Sequence, residues 1–164
     1  MNPGRPRLLS SAPPGFELRR VTPADREPLI EFYRRFEPKG ASLGLPPHKE
    51  PERWLDSLSR YPNFLVRRQG VIVAHAVLCA EGAEGEVAVF VGADCRAQGL
   101  GRCLLSELVA EARRLDLRRV WGLTELDNIP MLRLARSLGF VAGEDPYEFT
   151  LGLKKVAVAR PRAA

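Results

Sequence analysis

Hydrophobic and polar residues alternate along parts of the chain in a way that predicts β-strands. Residues 16–21 alternate apolar and polar positions, which is the period of a strand with one buried face. Two apolar runs, 64–68 and 71–79, are joined by Gln69-Gly70 and predict a hairpin. Residues 87–91 are continuously apolar, which is typical of a strand covered on both faces.

Apolar positions spaced three or four residues apart predict helices between these strands. Thr22 and Pro23 have the character of a helix cap and a first helical position. The helix that they open would carry Leu29, Ile30, Tyr33 and Phe36 on one side. Further helices are predicted at 52–58, at 101–115, and after Asp127 or Asn128 up to Gly139, where positive φ is expected.

The order of these elements predicts an α/β fold. A turn over 81–85 leads into the apolar strand at 87–91, and further strands are expected at 120–123, 140–141 and 147–153. Strands alternating with helices after an initial hairpin indicate a mixed sheet, with the strand at 87–91 near its centre. Ligands bind such sheets where the carboxyl ends of strands open a crevice, so the turn after that strand is the candidate site.

The chain of 164 residues is long enough for one domain. Residues 1–15 hold four prolines and two glycines and predict a flexible N-terminal arm, followed by a domain over 16–153 and a C-terminal tail over 154–164. Residues 37–47 are rich in glycine and proline, and this loop is a candidate wall of the substrate site.

Composition narrows the class of protein. With 45% hydrophobic and 27% charged residues and no apolar run near membrane-spanning length, we expect a cytoplasmic protein without membrane contact. The net charge of +5 comes from scattered arginine pairs without interleaved aromatic residues, so no nucleic-acid partner is expected. Three irregularly spaced cysteines predict neither disulfides nor a metal site. A monomer and a homodimer are both compatible with the sequence.

The segment Arg96-Ala97-Gln98-Gly99-Leu100-Gly101 joins the predicted central strand to a helix. The first N–H groups of a helix have no partner within it, and glycines there allow phosphates to approach the backbone, with Arg96 or Arg102 adding charge. A dinucleotide fingerprint is excluded because Leu104 stands where a third small residue is needed, and a P-loop lacks its Gly-Lys-Ser/Thr. A simple βα turn that needs glycine is the structural alternative.

This Arg-x-x-Gly-x-Gly segment resembles the acyl-CoA-binding motif of GCN5-related N-acetyltransferases (GNAT). The resemblance extends to Asn128 and Leu138-Gly139-Phe140, covers residues 16–153, and is nearest to bacterial protein-lysine acetyltransferases over 86–141. It implies a GNAT fold, a twisted mixed sheet of about six to seven strands with about four helices and splayed central strands. It also implies acetyl-CoA as the acyl donor, with no metal. Its donor-binding residues would be Val89, Phe90, Val91, Arg96, Ala97, Gln98, Gly99, Leu100, Gly101, Arg102 and Asn128.

The implied reaction is attack of a primary amine, either a protein lysine or a small-molecule amine, on the acyl thioester. The amine must first lose a proton, so a carboxylate or an ordered water is the expected general base. Glu86 begins the predicted central strand where several family members carry a catalytic glutamate, and Glu125 is the second candidate. A surface or turn-capping role for Glu86 is the alternative.

One position departs from the family pattern. Many members carry a general-acid tyrosine seven residues after the helix-opening asparagine, but Ala135 stands there in this chain. A backbone N–H near Val91 could still polarise the thioester carbonyl. The missing tyrosine keeps open a non-catalytic CoA-binding sensor or regulatory module. His75, Trp121 and Phe140 are expected to be structural, and a nucleophilic role for Cys95 or Cys103 is disfavoured.

Overall fold

The structure is a computed structural model that describes residues 12–40 and 42–154, so residues 1–11 and 155–164 of the predicted arm and tail lie outside it. The strands are β1 (Glu17–Arg20), β2 (Asn63–Arg68), β3 (Val71–Glu81), β4 (Glu84–Val91), β5 (Arg119–Leu123), β6 (Val141–Ala142) and β7 (Glu148–Gly152). The helices are α1 (Arg26–Arg34), α2 (Pro51–Leu58), α3 (Leu100–Arg114) and α4 (Ile129–Ser137), with 3₁₀ turns at Pro23–Asp25 and Ala93–Cys95.

These strands form one mixed sheet of seven strands in the order β1-β2-β3-β4-β5-β7-β6. β4 and β5 run parallel, while the other neighbouring strands are antiparallel. The apolar strand is the fourth of the seven, as its continuous hydrophobic run predicted. The α/β fold class, with a mixed sheet and four helices, is therefore confirmed.

Two hydrophobic cores lie on opposite faces of the sheet. The first packs α3 against the sheet and includes Leu104, Leu108, Leu78, Val87 and Val120. The second packs α1 and α2 against the other face and includes Ile30, Tyr33, Leu55, Leu65 and Phe90. Val87 and Phe90 on β4 are three residues apart, an odd separation, so their side chains lie on opposite faces of the sheet: Val87 belongs to the first core and Phe90 to the second.

The start of α1 is fixed by Asp25, which is 1% exposed. Its carboxylate forms ion pairs with Arg19 and Arg67, each at 2.6 Å, and accepts a hydrogen bond from the Thr22 N–H. Burial alone would raise the pKa of Asp25, but the hydrogen bonds from Arg19 and Thr22 prevail and lower it to about 2. The helix predicted directly after Thr22 instead starts with a 3₁₀ turn, and Phe36 lies beyond its last residue.

The turn predicted over 81–85 is shorter than expected, and this corrects the position of Glu86. β4 already begins at Glu84, so Glu86 lies inside the strand rather than at its start. Gly85 suggested a turn, but it is a strand residue whose Cβ would lie 2.6 Å from Leu78 Cδ1 and 3.0 Å from Leu117 Cδ1. Close packing, and not a turn, requires this glycine.

Candidate active site

The two central strands separate at Glu86. β4 and β5 pair only from Glu84 with Arg119 to Glu86 with Trp121, although β4 continues to Val91 and β5 to Leu123. A cavity of about 610 Å³ lies at this opening, which is within the usual size of a small-molecule site. The carboxyl ends of two parallel strands therefore form a crevice, as the sequence predicted.

The backbone N–H and C=O groups of every second residue of β4 point towards this crevice. The Gly92 N–H donates to the Val73 carbonyl at 2.9 Å, so position 92 bonds to β3. Alternate residues of an antiparallel pair bond to the neighbouring strand, so Phe90 bonds to β3 while Val89 and Val91 direct their backbone groups to the other side. Val89, Phe90 and Val91 all line the cavity. An extended ligand could therefore pair with β4 where β5 has moved away.

The N-terminus of α3 forms one end of the cavity. The Cys103 N–H donates to the Gly99 carbonyl at 3.1 Å, so the N–H groups of Leu100, Gly101 and Arg102 precede the first hydrogen bond of the helix. Gly99 caps the helix with φ at 83°, which favours glycine, and Ala97 also has a positive φ of 58°. Unpaired N–H groups and the helix dipole together favour an anion at this end.

The predicted phosphate-binding side chains differ in their surroundings. Arg96 lines the cavity, but its Nε donates to the Val91 carbonyl at 3.1 Å and a terminal nitrogen donates to the Glu37 carbonyl at 2.9 Å. Arg102 also lines it and donates to Ser137 Oγ at 2.7 Å. Gln98 is not among the lining residues, and its amide donates to the Asp94 carbonyl at 3.3 Å. Arg96 thus joins the loop after α1 to the end of β4.

A smaller cavity of about 120 Å³ adjoins the first one, and the two share Ser42, Leu45, Val89, Phe90, Asn128 and Met131. Glu86 lines the smaller cavity and Glu125 lines the larger one. Burial raises the pKa of Glu86 because the half-buried carboxylate has lost part of its hydration. The two candidate bases therefore face neighbouring parts of one crevice.

Asn128 and Ala135 show how α4 contributes to the site. The Asn128 side-chain oxygen accepts a hydrogen bond from the Met131 N–H at 3.3 Å, so this residue caps α4 as well as lining both cavities. Ala135 is 2% exposed and packs in the first core. Within the described part of the chain, neither cavity has a tyrosine in its lining.

The loop over 37–47, which the sequence indicates as a candidate wall, contributes Ser42, Leu43 and Leu45 to the lining of the smaller cavity. Its role towards an acceptor stays a prediction. Thr124, directly after β5, was missed; it is 1% exposed and lines the smaller cavity with Glu86. Its signal was weak, because one polar residue after a buried strand is common.

His75, Phe140 and Cys103 are buried, as expected of structural residues. His75 is fully buried and its Nδ1 lies 2.6 Å from the Tyr33 hydroxyl, and burial lowers the pKa of His75 to about 3. Phe140 is buried, as predicted. Burial raises the pKa of the Cys103 thiol to about 11, so it is protonated at neutral pH. Among residues 12–40 and 42–154, no group of three His, Cys, Asp or Glu could hold a metal ion.

A further cavity of about 400 Å³ lies between β1 and α2. Its charged side chains are already paired: Arg20 with Glu111 at 2.5 Å, and Arg26 with Asp56 at 2.8 Å. The crevice between β4 and β5 is therefore the better candidate, because it combines unpaired backbone groups with two carboxylates.

Comparison with known proteins agrees with this geometry. Residues 26–140 match the Acetyltransferase (GNAT) family. The chain belongs to the GNAT family. A curated acetyltransferase of Pseudomonas aeruginosa is 32% identical over 91 residues, which are 56% of this chain. The chain spans about half the length of that relative, since the match covers 48% of it.

Solved structures show the same GNAT fold. The GNAT domain of PAT from S. lividans has a TM-score of 0.74 at 19% identity and covers 84% of this chain and 90% of its own. A phosphinothricin acetyltransferase from Sinorhizobium meliloti, solved with acetyl-CoA, has a TM-score of 0.71 at 22% identity and covers 90% of this chain and 93% of its own. No helix in residues 12–40 and 42–154 has the length and hydropathy needed to cross a membrane.

Proposed function

We propose that this GNAT protein transfers an acetyl group from acetyl-CoA to a primary amine. The observation that carries the proposal is the separation of β4 from β5 at Glu86, with the N-terminus of α3 in the larger cavity and the Glu86 carboxylate in the adjoining smaller one. The helix N-terminus favours an anionic donor, and the Glu86 carboxylate favours a cationic acceptor.

The residues present fit acetyl-CoA. The N–H groups of Leu100, Gly101 and Arg102 suit its pyrophosphate, and the backbone groups of Val89 and Val91 suit its pantetheine amides. When bound, acetyl-CoA supplies a thioester whose carbonyl carbon accepts a nucleophile and whose thiolate can leave. The Val91 N–H, on the crevice side of β4, would polarise that carbonyl.

Glu86 is the preferred general base. An amine enters at neutral pH mainly as an ammonium ion and must lose a proton before its nitrogen lone pair can react. The Glu86 carboxylate would accept this proton, and its raised pKa makes it a stronger base than an exposed glutamate. Glu125 faces the neighbouring cavity and is the second candidate.

The proposed acceptor is a primary amine, either on a protein lysine or on a small molecule, and the cytoplasmic location stays a prediction. A second candidate function, a CoA-binding module without transfer activity, is favoured by buried Ala135 at the usual tyrosine position. Both functions require CoA binding, so acetyl-CoA should raise the melting temperature in either case. Only an enzyme should release CoA in step with amine concentration.

The test is a thiol-release assay with acetyl-CoA and a set of primary amines, including Nα-acetyl-lysine methyl ester and phenethylamine. We expect amine-dependent CoA release and a mass increase of one acetyl group on the amine. Stabilisation by acetyl-CoA without CoA release would instead support the binding module. If acetyl-CoA caused no thermal shift, both functions would be contradicted.

A further inference from the structure

The Thr124 hydroxyl is an unusual group in this crevice. The residue is 1% exposed, and within the described ranges its Oγ1 has no hydrogen-bond partner. Removing a hydroxyl from water without replacing its hydrogen bonds is unfavourable, so such atoms are rare in proteins. The position of Thr124 is held independently of this hydroxyl, because its backbone N–H donates to the Tyr147 carbonyl at 3.0 Å.

Thr124 and Glu86 line the same smaller cavity and come from two neighbouring strands. Glu86 comes from β4, at the last position paired with β5, and Thr124 follows the end of β5. The remaining lining includes the apolar residues Leu43, Val87 and Phe149 and the polar residues Ser42 and Asn128. The Asn128 side-chain oxygen already accepts a hydrogen bond from the Met131 N–H. A polar group that enters this space can meet the Glu86 carboxylate and the Thr124 hydroxyl as partners.

We infer that Thr124 is an acceptor-binding residue, whose Oγ1 accepts a hydrogen bond from the amine that Glu86 deprotonates. This inference rests on the proposed function. An ammonium group on carbon has three N–H bonds. One proton passes to the Glu86 carboxylate, one N–H is held by Thr124 and remains as the amide N–H, and the freed lone pair forms the new bond to the thioester carbon. As the carbon–sulfur bond breaks, the third proton leaves the nitrogen and is taken up by the departing CoA thiolate, so the products are the amide and CoA thiol. The Thr124 hydroxyl keeps its own proton throughout.

A structural role of the Thr124 hydroxyl and a role in binding the acceptor predict different effects when the hydroxyl is removed. If the hydroxyl supported the fold, its removal would lower stability, and activity would fall only as folded protein was lost. If it binds the acceptor, the isosteric Thr124→Val change removes a polar group that has no partner in the folded chain. Melting temperature should then stay the same or rise, while the use of the amine becomes less efficient.

The experiment measures acetyl transfer to phenethylamine and Nα-acetyl-lysine methyl ester by wild type, Thr124→Val and Thr124→Ser. For Thr124→Val we expect the amine kcat/KM to fall about tenfold, the effect of one hydrogen bond, with unchanged acetyl-CoA affinity and no lower melting temperature. Thr124→Ser should recover most of the loss. Thr150→Val is the matched control, because Thr150 Oγ1 accepts from Arg119 Nε at 2.8 Å: it should lower the melting temperature and leave the amine kcat/KM unchanged.

The outcomes separate this inference from the proposed function. An active wild type with an equally active Thr124→Val variant would overturn the role of Thr124 and leave the proposed function intact. A Thr124→Val variant that loses melting temperature, with kcat per folded molecule unchanged, would overturn it in favour of a structural hydroxyl. A wild type that releases no CoA with either amine would overturn the proposed function and this role with it.

Discussion

Replacing Glu86 by glutamine separates the chemical role of this side chain from its packing. The amide keeps the size of the carboxyl group inside the smaller cavity but cannot accept a proton from an ammonium ion. General-base assistance is worth about 10² to 10⁴ in rate, so kcat/KM for the amine should fall by that factor, equivalent to about 3–5 kcal/mol of barrier. Acetyl-CoA binding should change little, because the α3 N-terminus lies in the larger cavity.

The same substitution should not destabilise the fold. Burial raises the pKa of Glu86, so the ionised form is less favourable in the folded chain than in the unfolded one. Stability from this group is therefore fully present below its ordinary pKa of 4.5 and is lost as pH rises through the raised value. Glu86→Gln removes the buried charge, so at pH 7 its melting temperature should equal or exceed that of wild type, and this advantage should vanish below about pH 4.5.

The assay is the pH profile of kcat/KM for Glu86→Gln and wild type with one working amine, together with thermal melts at pH 7 and pH 4. The defect should shrink at high pH, where more of the amine arrives neutral. Glu125→Gln is the matched control and should have a mild effect. A severe defect in Glu125→Gln beside a nearly normal Glu86→Gln would transfer the base to the segment after β5, and mild effects in both would refute a carboxylate base.

Two further predictions concern the donor end and the fold. Gly101→Glu places a negative charge at the N-terminus of α3, where its Cβ would also lie 3.2 Å from Leu134 Cδ2, so CoA affinity should fall about tenfold or more in a titration. The control Gly152→Glu has no atom within 4 Å of its added Cβ and should bind CoA normally. Normal CoA binding by a folded Gly101→Glu variant would show that the phosphates lie elsewhere. Asp25→Asn leaves Arg19 buried without its ion pair and should lower the free energy of unfolding by about 3–5 kcal/mol in urea at pH 7. The wild type should lose this stability as pH falls from about 4 to about 2, because the pKa of Asp25 is lowered in the folded chain. A loss below about 1 kcal/mol in the variant would refute the argument.

The elements with long, regular hydrophobic patterns were predictable from the sequence. α3 repeats apolar residues along one face and residues 87–91 of β4 are continuously apolar, so burial alone is enough to indicate each of them. Gly139 was also predictable, because its φ of 90° after α4 is a conformation that favours glycine. In these cases one local physical requirement determines the residue type.

The parts that depend on distant neighbours were not predictable in the same way. Gly85 signals a turn when viewed locally, but Leu78 and Leu117 occupy the space of its missing side chain. Gly122 on β5 is a second case of a glycine required by a distant neighbour, because the Phe149 ring atom Cζ would lie 2.5 Å from its added Cβ. The point at which β4 and β5 separate is set in three dimensions and has no local signal in the sequence. The pairing of Thr124 with Glu86 in one cavity depends on this separation and has no signature in the sequence.

The position of the acetyl-CoA pyrophosphate tests the central claim most directly. In a crystal structure of the complex, we predict that it contacts backbone N–H groups within residues 97–102, at the N-terminus of α3, with the pantetheine running beside Val89 and Val91. A pyrophosphate bound elsewhere, for example in the cavity between β1 and α2, would contradict the assignment of the crevice as the donor site.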